Sequence, residues 1–232
     1  MKHGGFLLAL LLAVVFPALG QSEADIENAP EFVSLDEALA QPDKVYKLNL
    51  SAKQIGKLSG DIGKLTNLRE LYLNDNKLSD LPESIANLKN LEILDLSNNY
   101  FDEIPRVVFS LKKLKQLRLR VNAIASLPNE IGDLSELEFL DLHHNKLSAL
   151  PESVGKLTNL KKLNLGVNQL TRLPDAMSHL SKLTLLDVRS NQLQTISEKI
   201  YRLPSLTKIV ISNNPIKESD RNAIAQSVGS VQ

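Results

Sequence analysis

Leucine returns along most of this chain with a period of 23 residues. Frames of that length starting at Val45, Leu68, Leu91, Leu114, Leu137, Leu160, Leu183 and Leu206 align without an insertion. The fourth position then reads Leu48, Leu71, Leu94, Leu117, Leu140, Leu163, Leu186, Ile209. The sixth reads Leu50, Leu73, Leu96, Leu119, Leu142, Leu165, Val188, Ile211. Apolar residues two apart, with outward residues between them, have the period of a β-strand, so each frame predicts a short strand with its leucines turned inward. The ninth position reads Lys53 and then Asn76, Asn99, Asn122, Asn145, Asn168, Asn191, Asn214. An asparagine amide both donates and accepts, and it satisfies backbone groups that a buried turn leaves unpaired. Positions fourteen and fifteen are Leu-Pro or Ile-Pro in five frames, with Ser59 and Ser197 replacing proline in the first and seventh. Proline sets an extended approach to a return segment in which Ile85, Val108, Ile131, Val154, Met177 and Ile200 face the core.

One coil of this kind cannot bury its apolar edge alone, whereas a stack of eight makes a continuous aliphatic core. Composition agrees: 43% of residues are hydrophobic, only 4% are aromatic and Trp is absent, so the core must be built from aliphatic side chains. Cysteine is absent too, which leaves packing as the source of stability and excludes thiol catalysis, cysteine-ligated metal and a lipidated cysteine.

Segments such as Leu68-Arg-Glu-Leu-Tyr-Leu-Asn-Asp-Asn76 and Leu81-Pro-Glu-Ser-Ile-Ala-Asn-Leu88 resemble the 23-residue, L-P-x-x-I class of leucine-rich repeat. The resemblance runs over about 45–216 and implies an α/β fold: a right-handed solenoid with a concave parallel β-sheet and short helical or extended segments on the convex side. Both ends of such a stack need covers. Ser34-Leu35-Asp36-Glu37 fits a capping box, predicting a short helix that ends before Pro42, with Phe32, Leu35 and Ala38 closing one end of the core. This helix, the phrase Gln41-Pro42-Asp43-Lys44-Val45 and a first frame without asparagine are similar to the start of secreted bacterial leucine-rich-repeat proteins. After Ile216 the period fades, and Ser219 to Val228 predicts an amphipathic helix with Ile224 and Val228 inward. The expected organisation is a signal peptide over 1–20, an N-terminal segment and capping helix over 21–44, the solenoid over 45–216, and a capping helix and tail over 217–232.

The signal peptide is read from Lys2, the apolar run Phe6 to Phe16, and the small residues Ala18 and Gly20 before a cleavage point at Gln21. The apolar run is about half of the ~20 residues a spanning helix needs, so no membrane insertion is expected after cleavage. Removing Lys2 leaves 26 basic against 27 acidic residues, and this balance speaks against a nucleic-acid partner. The localisation expected is secreted, periplasmic or cell-surface.

Solvent-facing residues of the strands occupy frame positions two, three, five, seven and eight. With ~4.8 Å between strands, eight of them span about 34 Å, room for a folded partner or an extended peptide. The third position pairs an apolar residue with an aspartate at the fifth in alternate frames: Ile93 with Asp95, Phe139 with Asp141, Leu185 with Asp187. Asp95, Arg118 and Asp141 on successive strands suggest a cross-strand charge ladder. Apolar residues rimmed by charge mark a contact surface. Candidate partner-binding residues are therefore Tyr72, Ile93, Asp95, Arg118, Arg120, Phe139, Asp141, His143, His144, Leu185, Asp187 and Arg189. A solvated polar face is the alternative for the same cluster.

Catalytic signatures are missing: there is no G-x-S-x-G, H-E-x-x-H or phosphate-binding glycine loop. Asp141 and His143 share a strand face, but the sequence fixes no third metal ligand, so neither metal nor cofactor is expected. Asn49-Leu50-Ser51 matches a glycosylation sequon that the repeat alone explains. The function expected is an exported, monomeric, non-enzymatic module that binds a protein, a peptide or a glycan. A self-associating envelope protein, a metal-dependent hydrolase and an intracellular signalling scaffold are the alternatives from other classes.

Overall fold

The computed structural model describes residues 28–231. The expected cleavage point at Gln21 lies outside the described residues. Eight three-residue strands fall where the leucine alternation puts them: β2 (Lys47–Asn49), β3 (Glu70–Tyr72), β4 (Ile93–Asp95), β5 (Gln116–Arg118), β6 (Phe139–Asp141), β7 (Lys162–Asn164), β8 (Leu185–Asp187) and β9 (Lys208–Val210). Two strands of two residues flank them, β1 (Glu31–Phe32) and β10 (Ser230–Val231). All pair in chain order into one parallel sheet, and among β2–β9 the residues in register are 23 apart, as in Leu48 opposite Leu71. A parallel neighbour requires the chain to travel back to its starting edge before each new strand. Repeated around one core, that path is a leucine-rich-repeat solenoid.

The edge strands are additions to the eight predicted. Each borrows its order from the strand beside it, Glu31 pairing with Lys47 and Ser230 with Lys208. Short edge strands of this kind leave few unpaired backbone groups for another sheet to join.

The asparagine column works across coils. Asn76 is 6% exposed; its Nδ2 donates to the carbonyls of Leu50 and Leu73, both at 2.9 Å, while its Oδ1 accepts the N–H groups of Lys53 and Ile55. The left-handed turn itself is made one residue earlier. Asp75, Asn98, Val121, His144, Val167, Ser190 and Asn213 all have φ between 52° and 58°. So the asparagine supplies hydrogen bonds, and its predecessor supplies the backbone reversal.

Pro82, Pro105, Pro128, Pro151 and Pro174 precede single turns of 3-10 helix, each extended at φ between −54° and −76°. Ile85, Val108, Ile131, Val154 and Met177 in those turns, and Ile200 in the corresponding segment after Ser197, are fully buried. Each such side chain contributes about 1.5–3 kcal/mol by leaving water. Successive turns approach closely where glycine removes the obstacle: a Cβ on Gly132 would stand 2.6 Å from the carbonyl oxygen of Ser153.

Helix α1 (Leu35–Ala40) begins at Ser34, whose hydroxyl accepts the Glu37 N–H at 3.5 Å. Ala38 joins the core, and Phe32 and Leu35 pack against it. A one-turn helix, α2 (Glu198–Tyr201), replaces the 3-10 turn where Ser197 stands for proline. In α3 (Glu218–Ser227), Ile224 is buried, as is Val228 just beyond it. Arg221 ties this helix to the last coil, its guanidinium donating to the carbonyls of Asn214 at 2.6 Å and Ile216 at 3.0 Å. Among the described residues no helix is long and apolar enough to cross a membrane.

Candidate partner-binding face

The strands turn their even frame positions into the core and leave the third, fifth and seventh on the open side of the sheet. Neighbouring strands shield most of these side chains, so Tyr72, Ile93, Asp95, Arg118, Phe139, Asp141 and Leu185 are half-buried while Arg120 is exposed.

The fifth column has a backbone duty. Asp95 accepts the N–H of Ser97 at 2.9 Å, Asp141 that of His143 at 3.0 Å, and Asp187 that of Arg189 at 3.0 Å. Asn49 and Asn164 do the same for Ser51 and Gly166, which engages the asparagine of the sequon in the fold. A short acceptor side chain closing onto the amide two residues on ends each strand and starts its turn. Tyr72, Arg118 and Val210, in the same column, have no such acceptor.

The expected charge ladder is half present. Arg118 Nη1 lies 3.5 Å from Asp95 Oδ2 on β4, but its Nη2 donates to Gln116 Oε1 at 2.6 Å on its own strand. Its guanidinium carbon also stands 5.8 Å from the centre of the Phe139 ring, a cation–π contact that leaves Asp141 without this cation. A regular ladder does form in the second column: Glu92 joins Arg69 at 2.9 Å and Lys115 at 2.7 Å, and Glu138 joins Lys161 at 2.7 Å. The Glu92 bond also raises the Lys115 pKa. On β3, Tyr72 donates to Glu70 at 2.8 Å, and burial together with that bond pushes its hydroxyl up to about 12.

The centre is organised around a residue that sequence reasoning passed over. Gly166, on the seventh column, is flanked by His143 and Arg189; a Cβ there would stand 2.8 Å from His143 Nδ1, 3.1 Å from Arg189 Cγ and 3.2 Å from Asp187 Oδ1. The missing side chain lets the imidazole and the arginine stem lean over the same strand. Its only signal in the sequence was a glycine in a column otherwise filled by Ser, Asn, Arg and His. Asp187 is 4% exposed and holds Arg189 at 2.6 Å, so it presents the arginine rather than itself. His143 Nδ1 is buried with no hydrogen-bond partner among the described residues. Burial and the nearby charge of Arg120 hold its pKa below the ordinary value, and burial raises that of Asp141. His144 belongs to the turn, its ring tilted 6.3 Å from that of His143. The structure thus gathers Arg118 with Phe139, and His143 with Arg189, while Tyr72 stands three strands away on β3. Among the described residues no group of three or more His, Cys, Asp or Glu side chains is placed to hold a metal ion.

A leucine-rich-repeat-region family matches residues 44–122 and 110–232. The chain belongs to the leucine-rich-repeat family. Solved members include a leucine-rich-repeat protein of Leptospira interrogans, 27% identical over 86% of this chain and 57% of its own, with a TM-score of 0.72. An internalin of Listeria monocytogenes is 26% identical over 86% of this chain and 57% of its own, with a TM-score of 0.71. The ectodomain of a plant membrane receptor kinase from Arabidopsis thaliana, solved in complex with Casparian strip integrity factor 2, is 28% identical. It aligns over 80% of this chain and 23% of its own, with a TM-score of 0.65. The chain therefore spans little more than half of the two bacterial leucine-rich-repeat proteins and a quarter of the plant one. No curated protein matches. Leucine-rich-repeat folds commonly serve as protein-interaction scaffolds.

Proposed function

We propose that this chain is an exported protein-binding module that recognises a macromolecular partner on the concave face of its sheet, centred on Arg118, Phe139 and His143. The observation that carries the reading is the stacking of the Arg118 guanidinium over a half-exposed Phe139 ring. Arginine and aromatic anchors dominate interface energetics, and a pair already stacked has less freedom left to lose on binding. Ile93 and Leu185 lie in the Phe139 column, two strands to either side, and extend the apolar strip. The likeness to a plant receptor ectodomain solved in complex with Casparian strip integrity factor 2 supports a partner-binding role. The apolar run Phe6 to Phe16 and the Ala18–Gly20 exit support export with cleavage at Gln21, which N-terminal sequencing of the exported protein tests.

Crosslinking on intact cells, followed by identification of the captured protein, supplies the partner. Arg118→Ala combined with Phe139→Ala should then weaken binding at least ~30-fold, taking 2 kcal/mol as the threshold for an anchor. Lys112→Ala, on the opposite side of the coil, should leave affinity within about twofold. Wild-type affinity in the double variant rules out the face.

A further inference from the structure

Charge is divided unevenly along the sheet face. In the column of Gln116, successive strands present Phe139, Lys162, Leu185 and Lys208, apolar and cationic in turn. Among the described residues, neither Lys162 nor Lys208 has a carboxylate within ion-pair distance, and Arg120 has none either. The carboxylates of this half are engaged, Asp187 buried against Arg189 and Asp141 closed onto the His143 N–H. Toward β1 carboxylates are brought onto the face instead, Glu31 against Asn49 and Glu70 against Lys47. Uncompensated cations beside half-buried apolar groups call for a ligand that brings both carboxylates and hydrocarbon.

We infer that the occupant of β5–β9 is an extended, acidic segment of a protein partner, crossing the strands with its carboxylates at Lys162, Lys208 and Arg120 and its apolar side chains on Phe139 and Leu185. The inference rests on the preceding reading of the face and gives its partner a chemistry. Phe139 and Leu185 are two strands apart, about 9.6 Å at the usual strand spacing. A polyproline-type segment advances about 9.3 Å in one turn of three residues, so side chains three apart fall on both apolar positions. The residues between them are left to place carboxylates at Lys162.

The test is to pan a random peptide library against the purified protein. The expected result is enrichment of acidic peptides with two apolar residues about three positions apart, whose affinity falls as salt is raised. Lys162→Glu combined with Lys208→Glu should weaken the enriched peptides at least ~10-fold through like-charge opposition, whereas Lys112→Glu should not. Neutral or basic winners, no enrichment, or full affinity in the charge-reversed protein overturns the inference. So does a sulfated polysaccharide that binds tightly but does not need Phe139 or Leu185. If the crosslinked partner loses affinity on Arg118→Ala with Phe139→Ala but not on charge reversal, the face stands and the acidic ligand falls. If neither change matters, both fall.

Discussion

The ring of His143 and the absent side chain of Gly166 form one packing arrangement, with Nδ1 only 2.8 Å from the point a Cβ at 166 would occupy. No glycine of the described chain has a positive φ, so space and not backbone conformation is what requires glycine here. Gly166→Ala should therefore fold, displace the imidazole and the Arg189 stem, and weaken partner binding by roughly tenfold, the size of a disturbed anchor rather than a rim contact. Side-chain NMR of His143 checks the cause. Unchanged imidazole resonances in the alanine variant would show that the ring does not depend on the gap.

Asn145 tests the asparagine column. It is 8% exposed, donates to Leu119 and Leu142 at 3.0 and 3.1 Å, and accepts the Ile124 N–H at 3.0 Å. Asn145→Ala leaves these backbone groups buried and unpaired, at a cost of about 1–3 kcal/mol. Lys53 holds the same frame position, but its side chain is exposed and makes no such bonds, so Lys53→Ala should stay within about 0.5 kcal/mol. Urea denaturation of the two variants compares them directly, and equal losses would contradict the column's role.

Two valines occupy the left-handed turn position, Val121 and Val167, both at φ 55°. That region costs an ordinary L-residue about 1–2 kcal/mol, and a β-branched side chain suits it least. Asn98 and Asn213 fill the same position at 52° and 54°, and asparagine tolerates it. Val121→Asn and Val167→Asn should each raise stability by about 0.5–1 kcal/mol, nearly additively because the sites are two coils apart. A lower thermal midpoint in either variant would mean that the half-buried valine packs more favourably than its backbone is strained.

Acid should weaken the fold through His143. Its folded pKa lies below the ordinary 6.5 because of burial first and Arg120 second, with Arg189 adding to the effect and Asp141 and Asp187 opposing it. The unfolded chain then takes up the proton before the folded one does. The stability this group contributes is complete above 6.5 and is lost as pH falls through the lowered folded value. Asp141, raised by burial, acts with the opposite sign in the window just above 3.8. Urea midpoints above and below pH 6.5 should converge more closely in His143→Asn than in the wild type. An identical pH slope in the two proteins would remove His143 from the account.

Most of the path of this chain is written in short-range pattern. Leu-x-Leu fixed the eight long strands, the proline column fixed the extended approach to five of the helical turns, and Ser34 with Glu37 marked the start of α1. Those features depend on residues within one coil, where spacing and local backbone preference suffice. The edge strands at Glu31 and Ser230 were not legible in the same way, because two residues have no period and take their order from the strand alongside.

The side-chain network of the face needed three dimensions. From the sequence, Arg118 had Asp95 and Asp141 equally placed on the flanking strands, and packing put its charge on Asp95 and Phe139. His143 and Arg189 are 46 residues apart, and both occupy the space that a side chain on Gly166 would fill. Asp187, which reads as an exposed carboxylate like Asp95, is sealed under Arg189. The physical reason is common to all three. Inward leucines are specified by the strand period, whereas a long polar side chain chooses its rotamer among neighbours contributed by coils above and below, and no spacing within one frame encodes that choice.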